Sequence, residues 1–166
     1  MKYVLQVLLF VFLVYGISLA QVTISATANG TFTMLGYATA QKLADLDFGW
    51  FTPGTTVTVE PTQAQAAEFL FNGNSSTSVT VTITFPSTLS SGTSTMNFSN
   101  TKSNPIYNTI PDALHGAVEF KHKDGGSATT GTDGNLYIWV GGKVKANAPQ
   151  KTGTYTGVLH ITIVQQ

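Results

Sequence analysis

Between residues 79 and 85 the chain reads Val-Thr-Val-Thr-Ile-Thr-Phe, and Pro86 follows at once. Successive side chains of an extended strand point to opposite faces. The run therefore places Val79, Val81, Ile83 and Phe85 on one face and three threonines on the other. A helix, repeating about every 3.6 residues, would scatter those four apolar residues around its circumference. Pro86 stops the strand, because it has no N–H to donate to a neighbour. A half-buried strand is the only regular element that suits this segment.

The same period recurs along the chain. Leu136, Ile138 and Val140 share one face, with Tyr137 and Trp139 on the other. Near the end, Tyr155, Gly157, Leu159, Ile161 and Ile163 fall on one side. Val22, Ile24, Ala26 and Ala28 alternate with Thr23, Ser25 and Thr27, and Asn29-Gly30 comes next. An Asn-Gly pair after an alternating run predicts a hairpin, because the primed turn needs positive φ at both central residues. That hairpin would fold residues 22–28 back onto residues 31–37.

Shorter strands are predicted at Phe48–Phe51 and Thr55–Glu60 around Pro53-Gly54, at Ala67–Phe71, at Thr93–Phe98 and at Ala117–Lys121. Residues 99–116 read as irregular, with a short helical turn near Asp112, and Asp124–Asn135 as a loop. Twenty-six threonines and sixteen glycines suit strands joined by tight turns. No helical periodicity is sustained after residue 20. The expected fold is all-β, a single antiparallel β-sandwich over residues 21–166.

Residues 1–20 are expected to be a cleaved signal peptide. Lys2 supplies the charged start, Val4–Leu19 an apolar run, and Ser18-Leu19-Ala20 the small-residue cleavage pattern. The apolar run is shorter than the roughly 20 residues of a spanning helix, and no later run reaches that length. The expected location is therefore outside the cytoplasm, as a secreted protein with no membrane span in its mature form. Cysteine is absent, which removes disulfides and thiolate metal sites from consideration. All eight basic residues are Lys, against eight Asp and Glu. Without Arg forks or a basic stripe, nucleic acid is not an expected partner.

Three stretches resemble a bacterial family called domain of unknown function 4402. Leu46-Asp47-Phe48-Gly49, with Thr52-Pro53-Gly54 and Val57-Thr58-Val59, is similar to its opening block. Phe69 with Gly73, then Ile83-Thr84-Phe85-Pro86, resembles its middle block. Asn135–Val144 with Gly141-Gly142, then Gly153-Thr154-Tyr155-Thr156-Gly157, resembles its closing block. Together they cover most of residues 43–164, while 99–130 departs from the pattern. The resemblance implies an exported bacterial protein with a pilin-like or immunoglobulin-like sandwich. It implies no activity.

Candidate chemistry is sparse. Asp112, His115, Glu119 and His122 are acceptable metal ligands, but Gly116 breaks the helix that would align them, and a loop and strand are expected instead. Asp133-Gly134-Asn135 reads as a hairpin turn rather than a calcium loop, since further carboxylates at alternating positions are missing. Asp45 and Asp47 form a carboxylate pair for which no general acid can be placed. No nucleophile elbow, His-Glu-x-x-His or phosphate loop occurs. No enzyme activity, cofactor or metal is expected.

Two binding devices remain. Val22, Ile24, Ala26 and Ala28 have the alternation of a strand donated to a neighbouring sandwich. Tyr137 and Trp139, with Trp50, supply aromatic faces for sugar rings, although burial of both faces of that strand is the simpler expectation. The expected function is a structural or adhesive cell-surface protein, a fimbria-like subunit being one form of it, acting through contacts with itself or other surface proteins. The alternative is a secreted carbohydrate-binding module, with glycan as partner.

Overall fold

The computed structural model describes residues 22–32, 38–100 and 103–166, the first segment as a backbone course alone. The expected leader, residues 1–20, lies outside the described residues, as do residues 33–37 of the expected first hairpin.

Fourteen strands run through the described residues, and no helix. In chain order they are β1 (Val22–Phe32), β2 (Thr39–Ala44), β3 (Leu46–Phe51), β4 (Thr56–Val59) and β5 (Ala67–Asn72). Next come β6 (Ser78–Thr84), β7 (Thr88–Ser91), β8 (Ser94–Ser99), β9 (Ile106–Asn108) and β10 (Val118–Glu119). The last are β11 (Gly125–Thr129), β12 (Asn135–Val140), β13 (Gly142–Lys145) and β14 (Val158–Gln165). They form three sheets, ordered β11-β6-β14-β1-β3, β10-β9-β12-β5-β2 and β4-β13-β8-β7. The pairings are antiparallel except that of β1 with β14, which is parallel.

The protein is a β-sandwich whose sheets share one core. From the first sheet come Val79, Val81 and Ile83 of β6, Leu159, Ile161 and Ile163 of β14, and Leu46 and Phe48 of β3. The second contributes Phe69, Phe71, Leu136, Ile138 and Val140, and the third Val59, Leu89, Met96, Phe98 and Val144. The edge of one ring meets the face of the other where Phe48 of β3 approaches Phe98 of β8, their centroids 6.1 Å apart. Truncating any one of the fully buried Leu or Ile residues to Ala would cost about 2–5 kcal/mol, a large share of a small domain's stability.

Corners of the sandwich form where the chain changes sheet with almost no loop. Asp45 alone separates β2 of the second sheet from β3 of the first. Gly141 alone separates β12 of the second sheet from β13 of the third. The reason for glycine there is space. A Cβ on Gly141 would run into the carbonyl oxygen of Val59, and one on Gly142 would sit 2.8 Å from Leu46 Cδ2 and from the Phe98 ring. Close packing of β13 onto β3 and β8 therefore depends on the missing side chain.

Several expectations need correction. Asn29-Gly30 lies inside β1 and makes no turn, because residues 27–32 are held beside 158–163 of β14. The expected loop 124–135 contains β11, which pairs along β6 from Gly125 to Thr129. Asp133-Gly134 does turn the chain, yet the strands on either side, β11 and β12, belong to different sheets and are no hairpin. Near Asp112 the expected helical turn is a side-chain-stabilised bend. The Asp112 carboxylate accepts from the Leu114 and His115 amides at 2.8 and 2.9 Å.

Candidate functional site

The predicted donor residues Val22, Ile24, Ala26 and Ala28 all lie in β1. This strand occupies an interior place in the first sheet. Residues 22–26 run antiparallel to β3, from Val22 opposite Phe51 to Ala26 opposite Leu46. Residues 27–32 run parallel to β14, from Thr27 beside Val158 to Phe32 beside Ile163. The strand thus bridges β14 and β3, which are not paired with each other.

Tyr137 and Trp139 do share the outward face of β12, and their rings stack with centroids 6.1 Å apart. They form no open platform. Trp139 is only 6% exposed and Tyr137 is half-buried. Trp139 lines a cleft of about 380 Å³ together with Gln63, Glu68, Asp112 and Leu114. The segment on one side of that cleft is held by buried Asn108, whose amide donates to the carbonyls of Asp112 (2.8 Å) and His115 (3.0 Å). Its own carbonyl oxygen accepts from the Thr109 amide at 2.8 Å. This lock is not visible as a motif, since it joins a three-residue strand to the loop after it.

Trp50 is the aromatic that faces outward, with 63% of its surface exposed. A β-bulge aims it. Ser25 pairs with Asp47 and Ile24 with Gly49, so Phe48 is an extra residue on β3. Leu46 and the extra residue Phe48 point into the core, and beyond the bulge Phe51 packs against it. With unbroken alternation along β3, Trp50 would share the face of Leu46 and Phe48. Gly49 has φ of 65°, and its N–H donates to Asp47 Oδ1 at 2.8 Å. A Cβ there would meet nothing within 4 Å, so the need for glycine is conformational rather than spatial.

Beside Trp50 lies an open groove of about 280 Å³, lined also by Asp47, Thr58, Gln63 and Gln65. The 60–66 loop is tied to β3, because the Asp47 amide donates to the Gln65 carbonyl at 2.9 Å. It is braced internally as well. Gln63 Oε1 accepts from the Glu60 amide at 2.6 Å, and the Ala66 amide donates to the Gln63 carbonyl at 3.0 Å. Gln63 lines both this groove and the Trp139 cleft.

The remaining candidates are separated by the fold. Asp45 forms an ion pair with Lys42 at 2.7 Å, whereas Asp47 caps the bulge. Asp112 and His115 meet, Oδ2 to Nδ1 at 2.9 Å, but Glu119 accepts from the Asn104 amide instead. His122 pairs with Gly125 across a tight turn. Among the described residues no three His, Asp or Glu side chains are grouped closely enough to hold a metal. Asp133 accepts from the Asn135 amide and side chain, at 3.0 and 2.6 Å, and Asn135 in turn accepts from Asn72 at 2.7 Å. These bonds explain the turn and hold the Asp133 carboxyl below its ordinary value, the backbone bond from Asn135 contributing most. Backbone bonds from His115 and Leu114 do the same for Asp112, with the His115 side chain adding to them.

No family model matches the chain, and no curated protein matches it.

Proposed function

We propose that this protein is an exported structural or adhesive surface protein, a fimbria-like subunit that associates through strand exchange. The observation that carries the reading is the place of β1. It is the first described strand, and it lies between β14 and β3, its residues 22–26 paired with β3 and its residues 27–32 with β14. Once the leader is cut away, β1 would join the sandwich at one end only and could be replaced by the same segment of another copy, with the hydrogen bonds to β14 and β3 kept. The leader-like residues 1–20 support export, and the resemblance to domain of unknown function 4402 supports a bacterial surface.

The test uses the protein expressed with its leader. N-terminal sequencing of the secreted product should begin at Gln21. The product should give a ladder of multimers on unheated detergent gels, and deletion of residues 22–32 should abolish the ladder. A monomer at every concentration by light scattering would mean that β1 serves only its own chain.

A further inference from the structure

We infer that the groove beside Trp50 is a binding subsite for a neutral pyranose ring of a glycan. Three observations converge on it. The first is exposure. Large aromatic side chains bury most of their surface when packing is their only role, and the buried Trp139 of the same protein shows that pattern. Trp50 instead leaves 63% of its surface in water. The second is that this exposure is built. An extra residue and a left-handed Gly49, held by the Asp47 carboxylate, turn the indole away from a core it would otherwise enter. Bulges at sheet edges re-aim side chains in this way beside binding sites.

The third is the chemistry around the ring. A pyranose presents a face of C–H groups, weakly positive, that lies flat on the negative face of an indole. Its hydroxyls then project sideways, each able to donate and accept. The groove offers partners for both roles. Asp47 Oδ1 is used by Gly49 while Oδ2 remains as an acceptor, and Gln63 Oε1 is used by Glu60 while Nε2 remains as a donor. Thr58 and Gln65 add a hydroxyl and a second amide. The groove volume, about 280 Å³, falls just below the roughly 300–1,000 Å³ of drug-sized sites, which suits one ring. Among the described residues the only charged side chain lining it is the carboxylate of Asp47, so an acidic sugar would be repelled. Because Gln63 also lines the Trp139 cleft, a second residue of the glycan has a path across it. The subsite does not rest on strand exchange.

The test is titration of the intact protein with neutral tetrasaccharides built from glucose, mannose and galactose, read by tryptophan fluorescence and calorimetry. Tetragalacturonate serves as the acidic control. At least one neutral tetrasaccharide should bind and shift the emission, its tetramer more tightly than its monosaccharide. Trp50→Ala should weaken that binding at least tenfold and Gln65→Ala several-fold. Circular dichroism and melting of Trp50→Ala check folding, and Gln65→Ala, on an exposed side chain, provides an independent variant. Binding by none of the neutral sugars, preference for the acidic control, or unchanged affinity in Trp50→Ala would each overturn the inference. Loss of self-association in Trp50→Ala without sugar binding by the parent would also overturn it, and would assign Trp50 to a protein contact. The multimer ladder of the deletion experiment is read separately, so either conclusion can fail alone.

Discussion

The hydroxyl of Tyr155 donates a 2.7 Å hydrogen bond to the carbonyl of Lys151, four residues earlier in the chain. The Tyr155 ring is fully buried, and its hydroxyl also accepts from Gln150 Nε2 at 2.7 Å. Gln150 reaches on to the Thr95 carbonyl of β8 at 3.2 Å. One side chain thus fixes the corner that delivers the chain into β14 and ties that corner to the third sheet. Tyrosines used in this manner close corners in other β-sandwiches.

Tyr155→Phe keeps the ring and removes the bond. The Lys151 carbonyl then loses its donor in a partly buried place, and the expected cost is about 1–3 kcal/mol. Urea unfolding should show a lower midpoint with an unchanged slope. A midpoint equal to that of the parent would mean that water replaces the hydroxyl without loss.

Asn108→Ala should uncover Trp139. The substitution strips donors from the Asp112 and His115 carbonyls and an acceptor from the Thr109 amide, at a cost of about 1–3 kcal/mol. In a Trp50→Phe background Trp139 is the sole tryptophan. Its emission should move to longer wavelength, and acrylamide should quench it more strongly. Unchanged quenching would show that the segment keeps its place without Asn108.

Acid should act on the turn at Asp133. Its carboxyl is held below the ordinary aspartate value of 3.8 by the bonds from Asn135. A lowered folded value means that the charged form is the stabilising one. The contribution is present above pH 3.8 and is lost as pH falls through the lowered value. Asp133→Asn should therefore flatten the acid side of the melting-temperature profile. Asp112, lowered in the same direction by its backbone bonds, keeps the profile from becoming fully flat. If Asp133→Asn and the parent lose stability in parallel below pH 3.8, the turn bonds add nothing to the acid response.

Strands with a strict period of two were legible in advance. β6 buries Val79, Val81 and Ile83, and β14 buries Leu159, Ile161 and Ile163, as alternation predicts. β12 turns Leu136 and Ile138 inward in the same way. β2, β7, β9 and β11 were not legible, each for a physical reason. β7 is four residues long, with Leu89 its one apolar side chain. β2 is an edge strand with mostly exposed side chains and no apolar face to signal. β9 is three residues long. β11 is built from Gly, Ser, Ala and Thr, and its Gly125 stands close against the backbone of Val81.

The aromatic site illustrates the division. Trp50, Tyr137 and Trp139 can all be found by reading the chain, but which of them meets water cannot. A one-residue bulge turned Trp50 outward, and a loop held by Asn108 left Trp139 nearly covered. For β1 the alternation was visible, whereas its parallel place beside β14 and the extended path through Asn29-Gly30 were not. The sequence by itself determined that this is an all-β chain and which face of each alternating strand is apolar, because those properties depend on a residue and its immediate neighbours. Tertiary structure alone decided sheet order, the corners at Asp45 and Gly141, and the exposure of Trp50. Those depend on free energies shared between segments far apart in the chain, and no local window of residues contains them.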